Sequence, residues 1–356
     1  MKVLFISSFH PYAAGEIGAG EAICGESLDA FLNNGYNVDV CVISPKRQRA
    51  NEAIVGKCNS YITYSVVFFN MLLSVVHNLF KGALVAPWFF TRVQKDALQY
   101  INAMIERNHY DFIWLDFPSS LGFAALIEHP DIRYCAHDVV AQRMERSVVK
   151  KWISGYVRKI EASLFKKLSH ISVLSNKDLD LIKDMGFCGN TSIIILGSQK
   201  VGVVDDAVSV ETIVNDFCGK TNIIFFGNMR RSENHWSIMW FILFVFLRLF
   251  YKNRRIHLWV MGICPRLSLR LFSKLIPNVH VVGAVDDPSL AFQKAELCIA
   301  PLLFGAGVKI KVIQMLDSGA TVMATPVGAE GVDSNKRLII VDPKYLYNAL
   351  YRYWNS

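Results

Sequence analysis

The chain has 356 residues, 52% of them hydrophobic and 19% charged, which suits two globular domains with separate cores and excludes a disordered chain. A net charge of +8 and a pI near 9.0 imply an acidic partner, whether a phosphate-bearing ligand, an anionic membrane face or nucleic acid, without choosing among them. The eight cysteines are scattered, with no C-x-x-C and no histidine at zinc-ligand spacing, so no metal site is expected and free thiols in a reducing cytosol are the reading.

Met1-Lys2 runs straight into an apolar strand, Lys2 to Ser8, so no signal peptide is expected. A loop with Gly15, Gly18 and Gly20, a helix to about Asn34 and a second strand, Asn37 to Ser44, complete a nucleotide-type crossover. The dinucleotide fingerprint G-x-G-x-x-G fails, because Ile23 stands where the third glycine belongs and the second strand ends Ile43-Ser44-Pro45 with no acidic residue. An NAD enzyme is therefore disfavoured.

Two apolar stretches are candidates for membrane spans. Val66 to Phe90 is broken by Asn70, His77, Asn78, Lys81 and Pro87, and Ile238 to Leu247 is short, so each falls below the about 20 residues a bilayer needs. A buried helix is the default for both, with docking on a membrane surface as the alternative. Further strands are expected at Asp111 to Asp116, Arg133 to Asp138, His170 to Ser175 and Ser192 to Leu196. Arg143 to Lys167 is basic with an apolar seam through Val149, Trp152 or Ile153, Tyr156, Ile160 and Leu164, which reads as a core helix with a solvated basic face or as one lying on anionic lipid. Pattern weakens between Gly197 and Thr221, which places a linker there. Strands then recur at Asn222 to Gly227, Leu258 to Gly262, Val279 to Gly283, Leu297 to Leu302, Thr321 to Thr325 and Leu338 to Asp342. The expected domains are 1–198, a linker 199–221, 222–342, and a C-terminal helix 343–356.

The densest chemistry lies in 301–331, PLLFGAGVKIKVIQMLDSGATVMATPVGAEG. A strand runs into the turn Gly305-Ala306-Gly307, and Val308, Val312, Met315 and Leu316 then recur at helical spacing. The start of such a helix beside Lys309 and Lys311 is an anion site whose natural guest is a phosphate. Earlier, Phe226-Gly227-Asn228-Met229-Arg230-Arg231 repeats the strand-to-glycine theme and brings two guanidiniums suited to diphosphate oxygens.

The 301–331 stretch resembles the donor-site block of family 4 glycosyltransferases, the glycosyl transferases group 1, of the GT-B fold, in the branch reading P-L-x-x-G-x-G-x-K-x-K-x-x-E-A-x-A-x-G-x-P-V-V-A-T. His137-Asp138 with Arg143 is similar to the family's H-D-x-x-x-x-R element, and Val281-Val282-Gly283-Ala284-Val285-Asp286-Asp287 to its V-x-G-x-V-x-D turn. The resemblance implies an α/β chain of two Rossmann-like domains facing each other across a cleft. It implies transfer of a sugar from a nucleotide-diphosphate donor to a saccharide or lipid-linked saccharide, with retention, in cell-envelope polysaccharide or lipopolysaccharide synthesis. It assigns catalysis to His137, Lys309 and Arg230, and donor binding to Gly18, Gly20, Gly227, Arg231, Gly283, Gly307, Lys311, Gln314 and Glu330. Gln314 departs from the family, which usually has a glutamate on the ribose, and Ala306 stands where many members carry a second one. No cofactor or nucleic-acid partner is expected. A cytoplasmic protein, with peripheral contact on the inner membrane face, is the implied location. A nucleotide-sugar epimerase on the same scaffold and a catalytically weakened binding protein are the alternatives.

Overall fold

Short runs of β-branched and aromatic residues, each bounded by glycine, proline or polar turns, fold as parallel strands buried on both faces. The computed structural model describes residues 1–13, 19–45, 49–146, 150–194 and 207–354. The chain divides into two compact units, Met1–Leu196 and Gly197–Ser356.

In the first unit seven strands form one parallel sheet: β1 Lys2–Ser7, β2 Asn37–Pro45, β3 Ser60–Val66, β4 Phe112–Asp116, β5 Ile132–Ala136, β6 His170–Val173 and β7 Asn190–Ile193, in the order β3-β2-β1-β4-β5-β6-β7. Val3 to Ile6 of β1 are at most 1% exposed, as a central strand covered on both sides requires. The second unit holds β8 Thr221–Phe226, β9 Ile256–Met261, β10 Val279–Gly283, β11 Leu297–Ala300, β12 Val322–Ala324 and β13 Leu338–Ile340, in the order β10-β9-β8-β11-β12-β13. Both sheets thus follow the same doubly wound order, and each has its reversal of winding next to its first strand: between β1 and β4, and between β8 and β11. Open α/β sheets bind ligands at the carboxyl ends of the strands flanking that point.

Four expectations change. The edge strand β3 was not foreseen; its alternating Tyr61, Thr63 and Ser65 lack the unbroken apolar run that marked the others. The stretch expected as a buried helix from Val66 forms the helix Phe68–His77 instead, and this helix buries only Ser74. The basic seam breaks into Val140–Glu145, a 3-10 turn Lys151–Ile153 and Ser154–Phe165, which buries Val157, Glu161, Leu164 and Phe165 and leaves Tyr156 in solvent; Val149 lies outside the described residues. The described part of the expected linker carries a helix, Val210–Asn215, whose Val210 and Ile213 pack with Phe217 into the second unit's core. Val208 bridges Val285, and Val210 N–H donates to Asp286 Oδ1 at 3.0 Å, so this segment is stitched to the turn after β10.

The apolar run Ile238 to Leu247 sits inside a longer helix, Ser232–Lys252, with a π-helical turn at Ile242–Phe246. Its length and composition would cross a bilayer, but Ile238, Phe241, Ile242, Val245, Phe246 and Leu249 are core residues at 2% exposure or less. The last helix, Leu346–Tyr353, fixes itself to the same core through fully buried Leu346 and Leu350.

Candidate functional site

Three strands of the second unit end on glycines that lie against one another. Gly227 N–H donates to Met261 O at 3.0 Å, and Gly262 N–H to Gly283 O at 2.6 Å. A Cβ on Gly262 would stand 2.1 Å from Gly227 O, and Gly262 itself has φ +125°, so only glycine lets the two backbones meet. A Cβ on Gly227 would lie 3.0 Å from Asn234 Nδ2 and 3.2 Å from Lys311 Nζ; the bare position makes room for both groups.

Across the switch point, β11 runs into the loop containing Gly305 (φ +122°) and Gly307 (φ +79°), and helix Ile310–Asp317 follows with Val312, Met315 and Leu316 buried. A Cβ on Gly328 would fall 2.0 Å from Ala300 O, so the 325–331 turn is laid directly on the end of β11. Thr325 Oγ1 pins that turn by donating to Leu302 O at 2.5 Å and accepting from Gly328 N–H at 3.0 Å. Glu330 thereby reaches Lys309: the Lys309 N–H donates to Glu330 O at 3.1 Å, and the ammonium stands 3.7 Å from Glu330 Oε2 and donates to Gly307 O at 2.5 Å. Both side chains are under a tenth exposed.

Lys311 points under the glycine ends of the strands. Its Nζ donates to Asn234 Oδ1 at 2.8 Å and lies 4.4 Å from the centre of the Phe225 ring. Burial pushes this ammonium down to about 7; Lys309 and Arg231 push the same way and Glu233 opposes them. Arg231 Nε is 2.7 Å from Glu233 Oε1, which brings Arg231 into the field of Lys311. Arg230 turns elsewhere: its Nη2 lies 3.1 Å from Cys264 Sγ, and its carbonyl accepts from Arg266 Nη2 at 2.8 Å. Gln314 is half-buried on the same helical face as Lys311, three residues on, with its carbonyl accepting from Ser318 Oγ at 2.8 Å. Lys309, Lys311 and Arg231 against Glu233 and Glu330, beside a helix start, make a place whose electrostatics improve when an anion arrives.

In the first unit the ends of β4 and β5 pair Asp116 with His137. His137 Nε2 is 2.8 Å from Asp116 Oδ1, with both side chains almost wholly buried. A carboxylate only accepts, so in this contact the imidazole Nε2–H is the donor and Asp116 fixes the orientation of the ring. Asp116 Oδ2 has no hydrogen-bond partner among the described residues. The next residue, Phe117, holds φ +75° without being glycine, a strained conformation of the kind found at functional sites. Its ring meets His137 edge-on at 5.1 Å. Cys135 completes a buried group whose candidate ligand atoms lie within 4.8 Å of one another, but burial raises its thiol well above the usual range, against thiolate ligation at neutral pH. Glu161 anchors the loop after His137 from behind, Oε1 accepting from Val140 N–H at 2.9 Å and Oε2 from Ala141 N–H at 2.8 Å. Gly20 lies against Phe9, whose ring a Cβ there would approach to 2.9 Å. Gly18 lies outside the described residues.

Comparison with known families is decided at the second unit: residues 220–356 match the model described as glycosyl transferases group 1. Residues 220–356 form a domain of that family. The glycosyltransferase domain opens at β8 and takes in every member of the cationic cluster. Solved structures show that the fold of the whole chain is GT-B. A sucrose-phosphate synthase from Thermosynechococcus elongatus aligns over 100% of this chain and 90% of its own, with a TM-score of 0.67 and 15% identity. HepE from Anabaena in complex with UDP aligns over 100% and 90%, at 0.64 and 11%. A putative UDP-N-acetylglucosamine 2-epimerase from Listeria monocytogenes aligns over 100% and 88%, at 0.60 and 12%. No curated protein sequence matched.

Within the glycosyltransferase domain the structure gathers Gly227, Arg231, Gly307, Lys309, Lys311 and Glu330 at one switch point, with Gly283 joined through Gly262. Sequence reasoning missed three residues. Asn234, which holds Lys311, sits inside a helix with no signal of its own. Gly262 was taken only as a strand end. Asp116 closes the apolar strand FIWLD, and a carboxylate ending a buried strand was a signal that could have been read.

Proposed function

We propose that this glycosyltransferase moves a sugar from a nucleotide-diphosphate donor onto a saccharide or lipid-linked saccharide acceptor, with retention of anomeric configuration. The observation that carries the reading is the half-buried Lys311, its ammonium lodged beside Gly227 and backed by Lys309 and Arg231. Breaking the anomeric C–O bond leaves negative charge on the departing diphosphate, and preorganised cations there lower the barrier. Lys309, Lys311 and Arg231 are assigned the diphosphate, Gln314 the ribose, and Gly283 and its turn the base. His137 is assigned the donor sugar by its motif. The acceptor oxygen forms the new bond as its proton passes to the leaving diphosphate, so no enzymic nucleophile is needed. The cellular reading is cell-envelope polysaccharide or lipopolysaccharide assembly in the cytoplasm, and the bound UDP of the HepE structure supports a uridine donor as the first to try.

A panel of nucleotide sugars scored by thermal shift, with wild type and the Lys311→Ala variant, tests the donor site; labelled donor with acceptor extracts then tests transfer. The expected result is a rise in melting point with one nucleotide class, lost in the variant, followed by nucleotide release only when acceptor is present. Interconversion of donor sugars without acceptor would replace the reading with an epimerase. Binding without turnover in any extract would leave a binding protein, the outcome that Gln314 in place of glutamate would then explain.

A further inference from the structure

The helix Phe68–His77 is folded inside out. Ser74 and Asn78, polar residues, are 4% and 5% exposed, whereas Phe68 is 76% and Phe69 65% exposed, and Leu72, Leu73 and Val76 stand in solvent with them. The buried polar groups are satisfied locally, Ser74 Oγ donating to Asn70 O and Asn78 Nδ2 to Ser74 O, both at 2.8 Å. The apolar surface continues past the helix through Phe80, which is fully exposed. At ten residues the helix is too short to cross a bilayer, but a helix lying in the interface needs only an outward apolar face.

This surface abuts the basic helix Ser154–Phe165. A Cβ on Gly82 would touch Ile160 at 3.0 Å, and Lys150 Nζ stands 5.7 Å from the centre of the Trp88 ring. From there Trp152, 79% exposed, and Tyr156, 62% exposed, extend the aromatic surface, beside exposed Lys151 and Lys159, while Arg158 is held elsewhere, its Nη2 donating to Asp184 O at 3.3 Å. No carboxylate occurs in the sequence between Glu52 and Asp96, nor between Glu145 and the buried Glu161. A face that is apolar, aromatic and cationic, and free of acids along both segments, matches one occupant in charge and in chemistry.

We propose that this face docks the protein on an anionic lipid surface, Phe68, Phe69, Leu72 and Val76 entering the headgroup boundary while Lys151 and Lys159 meet lipid phosphates. A second copy fits less well, since self-association would bring two cationic faces together. The inference is independent of the transfer reaction, because a protein that failed to turn over any sugar would still show it.

The test is flotation of the full chain with phosphatidylcholine vesicles carrying increasing phosphatidylglycerol, against phosphatidylcholine alone. Wild type is expected to float with the anionic vesicles only, and to be released by high salt. Phe68→Ser/Phe69→Ser/Leu72→Ser, at exposed positions and with an unchanged melting point, is expected to bind at least about tenfold more weakly. Lys151→Glu/Lys159→Glu is expected to lose roughly a hundredfold. The proposal is overturned if wild type stays in the aqueous fraction, if the charge-reversed variant floats as wild type does, or if vesicle-free sedimentation finds a dimer that the serine variant dissolves.

Discussion

At the scale of single residues, Lys311 couples anion binding to protons. Burial holds its ammonium at about 7, far below the ordinary lysine range, and a bound diphosphate would favour the charged form. The free protein is therefore increasingly deprotonated above pH 7 while the complex is not, so affinity for a nucleoside diphosphate should fall as pH rises, approaching about tenfold per unit. Calorimetry at pH 8 in buffers of different ionisation enthalpy should record proton uptake on binding; identical heats in all buffers would refute the coupling. Replacing Lys311 with alanine should weaken the nucleotide about 10- to 100-fold and flatten this pH dependence. Gly262 offers a purely steric counterpart. With φ +125° and Gly227 O where a Cβ would go, Gly262→Ala should cost about 3 kcal/mol or more, read as a lowered urea midpoint. A midpoint within experimental error of wild type would mean the strand ends part easily.

At the scale of elements, the short helix Val140–Glu145 has no side-chain cap of its own and borrows one from Glu161, two turns into another helix. Removing it in Glu161→Ala strands two buried N–H groups and should cost about 2–4 kcal/mol of stability. Burial raises the Glu161 carboxyl to about 8, above its ordinary value near 4.5, so the folded unit holds a proton that the unfolded chain has released between those two values. That contribution is complete below about pH 4.5 and is lost as pH rises through 8. Glu161→Gln, fixed in the neutral form, should gain on wild type between pH 5 and pH 8 in denaturant titrations; a constant difference would show that the carboxyl is ionised throughout. Element by element, the sequence was most readable where burial is symmetrical. The strands β1, β8 and β11 showed as apolar runs, because a parallel strand covered on both faces has little polar side to interrupt it. The edge strand β3 and the outward-facing helix Phe68–His77 were misread for the converse reason: one carries polar residues in a sheet, the other apolar residues in water, and pattern alone assigns each to the wrong side.

At the scale of the molecule, two similar sheets in one chain were legible from alternating strands and helices, and the 301–331 stretch pointed to the strand ends where Lys309, Lys311 and Glu330 lie together. Which arginine shares the field of Lys311 was not legible, since Arg230 and Arg231 are neighbours in sequence and diverge only through Cys264 and Glu233. The pairing of Asp116 with His137 depended likewise on two strands lying side by side, which no local spacing encodes. The hydrophobic clusters respect the division of the chain: one belongs to the first unit and two lie within the second, with none shared among the described residues. Two units with separate cores should melt as two transitions in scanning calorimetry, and a ligand held by the second should move only one of them. A nucleoside diphosphate at about a hundred times its dissociation constant adds about 2.7 kcal/mol to the unit that binds it, which for a domain of this size is a rise of about 5–10 °C. Lys311→Ala should abolish the shift while leaving the other transition in place. Both transitions rising together would mean that the nucleotide is gripped by more than the glycosyltransferase domain, and the assignment of the nucleoside diphosphate to the second unit alone would have to be given up.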